Sequence, residues 1–228
     1  ANLACGFHAG DPLHMRRLAG QAAAAGLDVG AHPGFDDRQG FGRRRIELDP
    51  EEAAAQVVYQ VGALAALARL SGARLAHVKP HGALYTMAAA HEPLARALVR
   101  ALNGVDPRLI LVGPPGSALE RAAAAVGQPF AAEAFVDRAY RADGSLAPRG
   151  LPGALVDAPA ECARRAVRLA TAGTVDTLEG GTLTLRADTL CLHGDGPHAV
   201  AVARAVRAAL ADAGVPLAPL SRWLGAGV

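Results

Sequence analysis

Residues 77–81, HVKPH, set two histidines and a lysine at alternate positions. In an extended strand, residues 77, 79 and 81 face the same way. Two imidazoles would then flank an ammonium, which lowers their pKa values and favours neutral rings as bases or hydrogen-bond partners. Lys79 is also the only lysine in the chain; every other cationic side chain counted with it is arginine. Arginine supplies charge equally well, but it does not lose its proton near neutrality and does not present a compact ammonium. Either property gives a reason to keep lysine here; the alternative is chance retention.

Other reactive residues recur where short apolar runs end: His8, His32, Asp137, Arg138, His193 and Asp195. A lone histidine in such a place is more often a hydrogen-bonded structural residue. Five of the eight histidines at strand ends are harder to explain that way. Cys5 and Cys191 fit small buried residues better than nucleophiles in a lowered-pKa site. Gly6, Gly10, Gly30, Gly34, Gly82, Gly194 and Gly196 lie beside the same ends, where turn geometry accounts for them and close approach to a ligand is the second reading. The run Arg43-Arg44-Arg45 reads as a solvated face from which one member could fork onto a substrate carboxylate.

The elements that must position these groups alternate. Six apolar runs, NLACGFH, LDVGAHP, ARLAHVKPHG, RLILVGPPG, PFAAEAFVDRAY and TLCLHGDG, are each followed by helical sequence. Asp11 before Pro12, and Asp49 before Pro50-Glu51-Glu52, read as helix starts. Further helices are expected around 91–103, at 117–127, near 159–172 and, last, over HAVAVARAVRAALADAG. TVDTLEGGTLTLRAD reads as a hairpin turning at Gly180-Gly181. Strand–helix alternation implies parallel strands with right-handed crossovers, so a β/α barrel or a related open sheet. In a barrel the carboxyl ends of the strands converge, and one cavity would collect the reactive residues. The irregular segment 143–158 is a candidate lid.

At 228 residues with net charge +2, the chain fits one domain, 1–228, with no linker. Interspersed charges give no nucleic-acid stripe and no membrane patch, and no run is apolar enough to span a bilayer. Three cysteines without a CxxC pair suit a reducing, cytoplasmic compartment. Neither a Rossmann glycine fingerprint nor a GxxxxGK[ST] loop nor HExxH is present. The sequence begins at ANLACGFHAG, without Met and already within a strand, so the expectation is that a true N-terminus precedes it.

The blocks ANLACGFHAGDP, GAHPGFDDRQGFGRR, YQVGALA, HVKPHGALY, FVDRAYRADGSLAPR and TLCLHGDG, in this order along nearly the whole chain, resemble the LamB/YcsF family. The resemblance implies a seven-stranded β/α barrel of the polysaccharide-deacetylase kind. The family's opening strand, with its acidic D-L-N-x-D-x-G-E motif, is missing from the sequence, and those carboxylates could supply a base or a metal ligand. It also implies action as the A-subunit of an ATP-dependent 5-oxoprolinase, opening 5-oxo-L-proline to L-glutamate, with ATP and Mg²⁺ and with partner subunits B and C. A lactam is a resonance-stabilised amide, so opening it needs a polarised oxygen, an activated water and a proton for the departing nitrogen. On that chemistry Lys79 meets the developing negative charge, and His81 and His193 transfer protons. Asp195 orients a histidine or activates water, and His8 and His32 complete the rim. Arg43, Arg138 or Arg149 binds the substrate carboxylate. No metal-ligand set is assigned. Competing readings are a metal-dependent amidohydrolase or deacetylase on the same barrel, a non-catalytic lactam-binding subunit, and a Schiff-base lyase using Lys79.

Overall fold

The computed structural model describes residues 1–224. The chain is α/β. Its strands are β1 (Asn2–Ala4), β2 (Val29–His32), β3 (Leu75–Val78), β4 (Ile110–Gly113), β5 (Phe130–Phe135), β6 (Thr174–Asp176), β7 (Thr182–Thr184) and β8 (Thr189–Cys191). Six of them form the main sheet, in the order β1-β2-β3-β4-β5-β8, where the family resemblance implied seven. All six expected strands are present. The chain falls into two compact units, Ala1–Ala131 with the segment from Ala218 on, and Ala132–Leu217.

In the first unit, β1 to β4 pair in parallel, with Asn2 opposite Gly30, Gly30 opposite His77 and His77 opposite Ile110. Every residue of β4, ILVG, is buried, as expected of a parallel strand covered on both faces. The helices are α1 (Pro12–Ala24), α2 (Pro50–Arg69), α3 (Gly82–Ala90), α4 (Glu92–Val105) and α5 (Ala118–Val126). Both Asp-Pro starts hold: Asp11 Oδ1 accepts from the His14 amide at 2.9 Å, and Asp49 Oδ1 from the Glu51 amide at 2.9 Å. α2 packs on α1 and α4, and α4 packs on α5. Their core residues include Val57, Val61 and Leu64 of α2 and Leu98 and Leu102 of α4. Leu64 is completely buried, so its truncation to Ala costs about 2–5 kcal/mol.

The helix expected around 91–103 is α4, but α3 in front of it was not anticipated. GALYTMAAA is apolar on almost every side, so it carries no periodic pattern. It begins after His81 and ends at His91, both with extended backbone. A short helix, α8 (Leu220–Trp223), returns to this unit. Asp28 accepts from the Ser221 amide at 2.9 Å and hydroxyl at 2.7 Å, while Leu220 and Leu224 pack on Ile110, Val112 and Ala131.

In the second unit β5 and β8 pair in parallel, Phe135 opposite Cys191. α6 (Pro159–Ala172) packs on α7 (Ala199–Asp212). The expected hairpin is β6 with β7, antiparallel, with Gly180 at φ +89° in the turn. The segment 143–158 is held more firmly than a free lid. Single bridges join Arg138 to Leu155 and Tyr140 to Leu146, and Ala147 and Ala154 pack on Ala139. No helix among the described residues is long and apolar enough to cross a membrane.

Candidate functional site

Four of the expected residues, His8, His32, Lys79 and His81, are brought together in the first unit. His8 lies in the loop after β1, His32 ends β2, and Lys79 and His81 follow β3. β3 ends at Val78, but the Lys79 and His81 amides continue its bonding to the carbonyls of Ala31 and Pro33, at 2.9 and 2.8 Å, and His77 has partners of its own. Its ring passes beneath Gly30, where any Cβ would collide with it, and Nε2 reaches Asn2 Oδ1 at 2.8 Å. Burial above all lowers its pKa to about 4.

His32 and His81 are joined directly. His32 Nδ1 donates to the Lys79 carbonyl at 2.6 Å, His32 Nε2 lies 3.0 Å from His81 Nδ1, and His81 Nε2 donates to the Phe41 carbonyl at 2.8 Å. His8, 3% exposed, stacks on His81 with centroids 3.8 Å apart and nearly parallel planes. Burial pushes His8 down to about 3, helped by His81, Arg43 and Arg38. Burial, Lys79 and His81 push His32 well below its ordinary value. Lys79 is buried, with its ammonium 5.8 Å from the centre of the Tyr85 ring.

The loop after β2 carries the wall of this cluster. Phe41, a non-glycine residue at φ +55°, turns its carbonyl to His81 and its ring edge to both His8 and His81. That backbone is uncommon for a bulky side chain and persists where the surroundings fix it. Asp37 does so, accepting from the Gly40 amide at 2.9 Å and from Arg44 Nε at 2.8 Å. Gly42, at φ +64°, leaves no room for a Cβ, which would sit 2.8 Å from His8 Cβ and 2.9 Å from His81 Cδ2. Arg43, expected to meet a substrate carboxylate, places its guanidinium 4.9 Å from the centre of the Phe41 ring.

Two residues here went unrecognised in the sequence. Arg38 donates to the carbonyls of Gly6 and Gly10, at 2.7 and 2.8 Å, and so fastens the His8 loop. Gln60, wholly buried on α2, holds both the amide and the carbonyl of Gly34. A lone glutamine amid the apolar face of YQVGALA was the signal for the second; nothing marked the first among many arginines. Cys5 fits the small buried residue expected: burial pushes its thiol up to about 12, and it donates to the Leu3 carbonyl.

The second unit gathers Arg138, Arg149, His193 and Asp195 around a cavity of about 140 Å³, which Asp137 and His198 also line. The acid bonded to His193 is Asp137, a pairing that was not anticipated, and Asp195 lies on the same cavity. Asp137 Oδ2 accepts from the His193 amide at 2.6 Å and from Nδ1 at 2.8 Å. Burial alone would raise the Asp137 pKa, but the His193 contacts outweigh it and leave it lowered. The arrangement puts the imidazole proton on Nδ1 and leaves Nε2 as the basic nitrogen, the logic of a carboxylate-oriented general base. Arg165, buried behind this stretch, donates to the carbonyls of Val136 and Arg138 and fixes its path. Arg138 Nη2 donates to the Ala147 carbonyl at 2.5 Å, which gives it a structural duty beside the expected substrate contact.

Among the described residues no three His, Cys, Asp or Glu side chains gather as a ligand set. All four ring nitrogens of His32 and His81 are committed to each other and to carbonyls.

Comparison with known proteins agrees along the length of the chain. The sequence profile of the LamB/YcsF family matches residues 1–225. A Nocardia farcinica protein named as the A-subunit of 5-oxoprolinase is 54% identical over 215 residues, 94% of this chain and 86% of that one. Its namesake from Methylococcus capsulatus is 51% identical over 224 residues, 98% of this chain and 86% of that one. The crystal structure of a lactam utilization protein from Thermus thermophilus superposes with a TM-score of 0.88, at 50% identity, covering 94% of this chain and 85% of that one. With the ordered motifs, the parallel sheet and the full-length match in agreement, the chain belongs to the LamB/YcsF family.

Proposed function

We propose that this chain is the A-subunit of an ATP-dependent 5-oxoprolinase, opening 5-oxo-L-proline to L-glutamate together with subunits B and C. The observation that carries the reading is identity of about half, over more than nine-tenths of the chain, to proteins of that name. In this reading ATP, with Mg²⁺ on its phosphates, is a substrate of the complex. Its γ-phosphoryl group passes to the lactam oxygen and ADP leaves. Water adds at the carbon, the C–N bond breaks as the nitrogen takes a proton, and a second water releases phosphate.

His193, oriented by Asp137, is the base for the attacking water. Arg138 and Arg149 beside it suit the substrate carboxylate. Asp195, on the same cavity, takes a share in placing the water. Lys79 neutralises charge on the carbonyl or phosphoryl oxygen, and Arg43, His8, His32 and His81 shape its surroundings. The finer fold in this reading is a seven-stranded β/α barrel of the polysaccharide-deacetylase kind. A reducing, cytoplasmic setting accords with three buried cysteines that form no disulfide.

The test is glutamate formation from 5-oxoproline by the chain mixed with subunits B and C, with and without ATP. Glutamate and ADP appearing only in the complete, ATP-containing mixture is the expected result. No glutamate, from B and C that are active with another A-subunit, overturns the proposal.

A further inference from the structure

His8 is held by ring contacts and not by hydrogen bonds. It stacks on His81 with centroids 3.8 Å apart, and the Phe41 and His32 rings stand perpendicular to it. Its Nδ1 is completely buried and has no hydrogen-bond partner. What faces that nitrogen is Gly34. A Cβ built on Gly34 would lie 2.7 Å from His8 Nδ1, so the glycine hydrogen in that position points at the nitrogen.

This contact decides where the imidazole proton sits. A neutral ring carries one N–H, and burial above all keeps His8 neutral, with its pKa pushed down to about 3. On Nδ1 the proton would meet a carbon-bound hydrogen and no acceptor. With Nδ1 bare, its lone pair meets that C–H in a weak, favourable contact. The proton therefore belongs on Nε2. That nitrogen is not sealed as Nδ1 is, and among the described residues no acceptor takes its proton. His8 is 3% exposed, and a donor so nearly buried calls for an acceptor. The charges that bear on it, those of Arg43 and Arg38, are positive and suit an oxygen carrying negative charge.

Gly34 is itself fixed from behind. Gln60, wholly buried, accepts from the Gly34 amide at 3.0 Å and donates to its carbonyl at 2.9 Å. We infer that Gln60 and Gly34 lock His8 as a neutral ring with its single proton on Nε2, where it serves as a hydrogen-bond donor to a negatively charged substrate oxygen. In the 5-oxoprolinase reading, on which the donor role rests, that oxygen belongs to the phosphoryl group carried by the lactam. His8 gives a hydrogen bond there and keeps its proton. Gln60 is a positioning residue, acting on His8 through Gly34.

The first experiment is ¹⁵N NMR of the full chain labelled in histidine, with His8→Gln used to assign the His8 signals. At neutral pH His8 should show a protonated Nε2 and a bare Nδ1. A proton on Nδ1, or on both nitrogens, overturns the inference. Gln60→Met fills similar space without the two bonds to Gly34. In a folded protein it should let the His8 proton divide between the nitrogens; an unchanged Nε2 proton would remove the positioning role of Gln60. The second experiment is glutamate formation by the complex with subunits B and C. Glutamine places an N–H near the position of Nε2, whereas asparagine reaches only that of Nδ1. His8→Asn and His8→Phe should lower kcat by about 10²–10³, and His8→Gln by only about tenfold. Asparagine serving as well as glutamine, or phenylalanine losing less than about tenfold, overturns the donor role. The outcomes separate from the functional reading. A proton on Nε2 in a protein that never forms glutamate would sink the reading and leave the lock standing. A proton on Nδ1 in an active complex would sink the inference alone.

Discussion

Replacing Asp137 with Asn keeps the shape of the second-unit cavity and removes one charge. In the folded protein Asp137 Oδ2 takes two hydrogen bonds from His193, at 2.6 Å from the amide and 2.8 Å from Nδ1. The asparagine carbonyl can occupy the same place and keep both donors, so the fold should survive. What disappears is the negative charge that stabilises the imidazolium formed when His193 takes a proton from water. Unit charges about 4 Å apart, at an effective dielectric of about 20, attract by about 4 kcal/mol. At about 1.4 kcal/mol per tenfold, that is a loss of roughly a thousandfold in turnover. The assay is glutamate formation by the complex with subunits B and C at saturating ATP, with kcat and KM determined separately. The prediction is a kcat lower by about 10²–10⁴ with KM changed less than about threefold. A variant that keeps kcat within about threefold, while Asp195→Asn loses it, would refute the reasoning and return the orienting role to Asp195.

Lys79→Arg preserves charge but puts a planar fork where a compact ammonium is 5% exposed; glutamate formation should fall at least about a hundredfold, and unimpaired activity would remove Lys79 from the chemistry. Gly30→Ala drives a methyl group into the His77 ring and breaks its bond to Asn2, costing about 2–4 kcal/mol, read as a lower urea midpoint. His77 is held near pKa 4 in the fold, against about 6.5 when unfolded. Between those values only the unfolded chain takes the proton, so stability falls as pH drops through that window, by up to about 3 kcal/mol. His77→Gln should flatten that part of the urea-unfolding profile, and an unchanged slope would contradict the assignment. Asp37, lowered to about 2 chiefly by its hydrogen bond from Arg44, contributes stability above about pH 4 that is lost as pH falls toward 2. Asp37→Asn should remove that acid-side loss in thermal melts.

How far the sequence speaks for itself differs from residue to residue. Asp11 and Asp49 declare their helices because the capping bond is local, made within two or three positions. The cluster of His8, His32, Lys79 and His81 is legible because parallel strands carry consecutive strand ends to one side. The Asp137–His193 pair is not legible, although both residues stand out. It depends on register: Phe135 lies opposite Cys191, so the residues two steps further on meet. No local pattern fixes that register, and Asp195, close in sequence, drew the attention first. α3 was missed for the opposite reason, since a segment buried on nearly every side shows no period to read. His77 was grouped with Lys79 and His81 on strand alternation, and its bond to Asn2, a residue 75 positions away, was not legible.

The small helix α8 ties the last described turn of the chain to its opening segment, through Ser221 on Asp28 and through Leu220 and Leu224 on Ile110, Val112 and Ala131. A ribosome therefore finishes residues 1–131 and then makes the entire second unit before the piece that covers this greasy cluster exists. Throughout that interval the nascent chain displays Ile110 and Val112 without their cover. Stalled or prematurely terminated chains would remain in that condition, which makes the early product a natural client for chaperones.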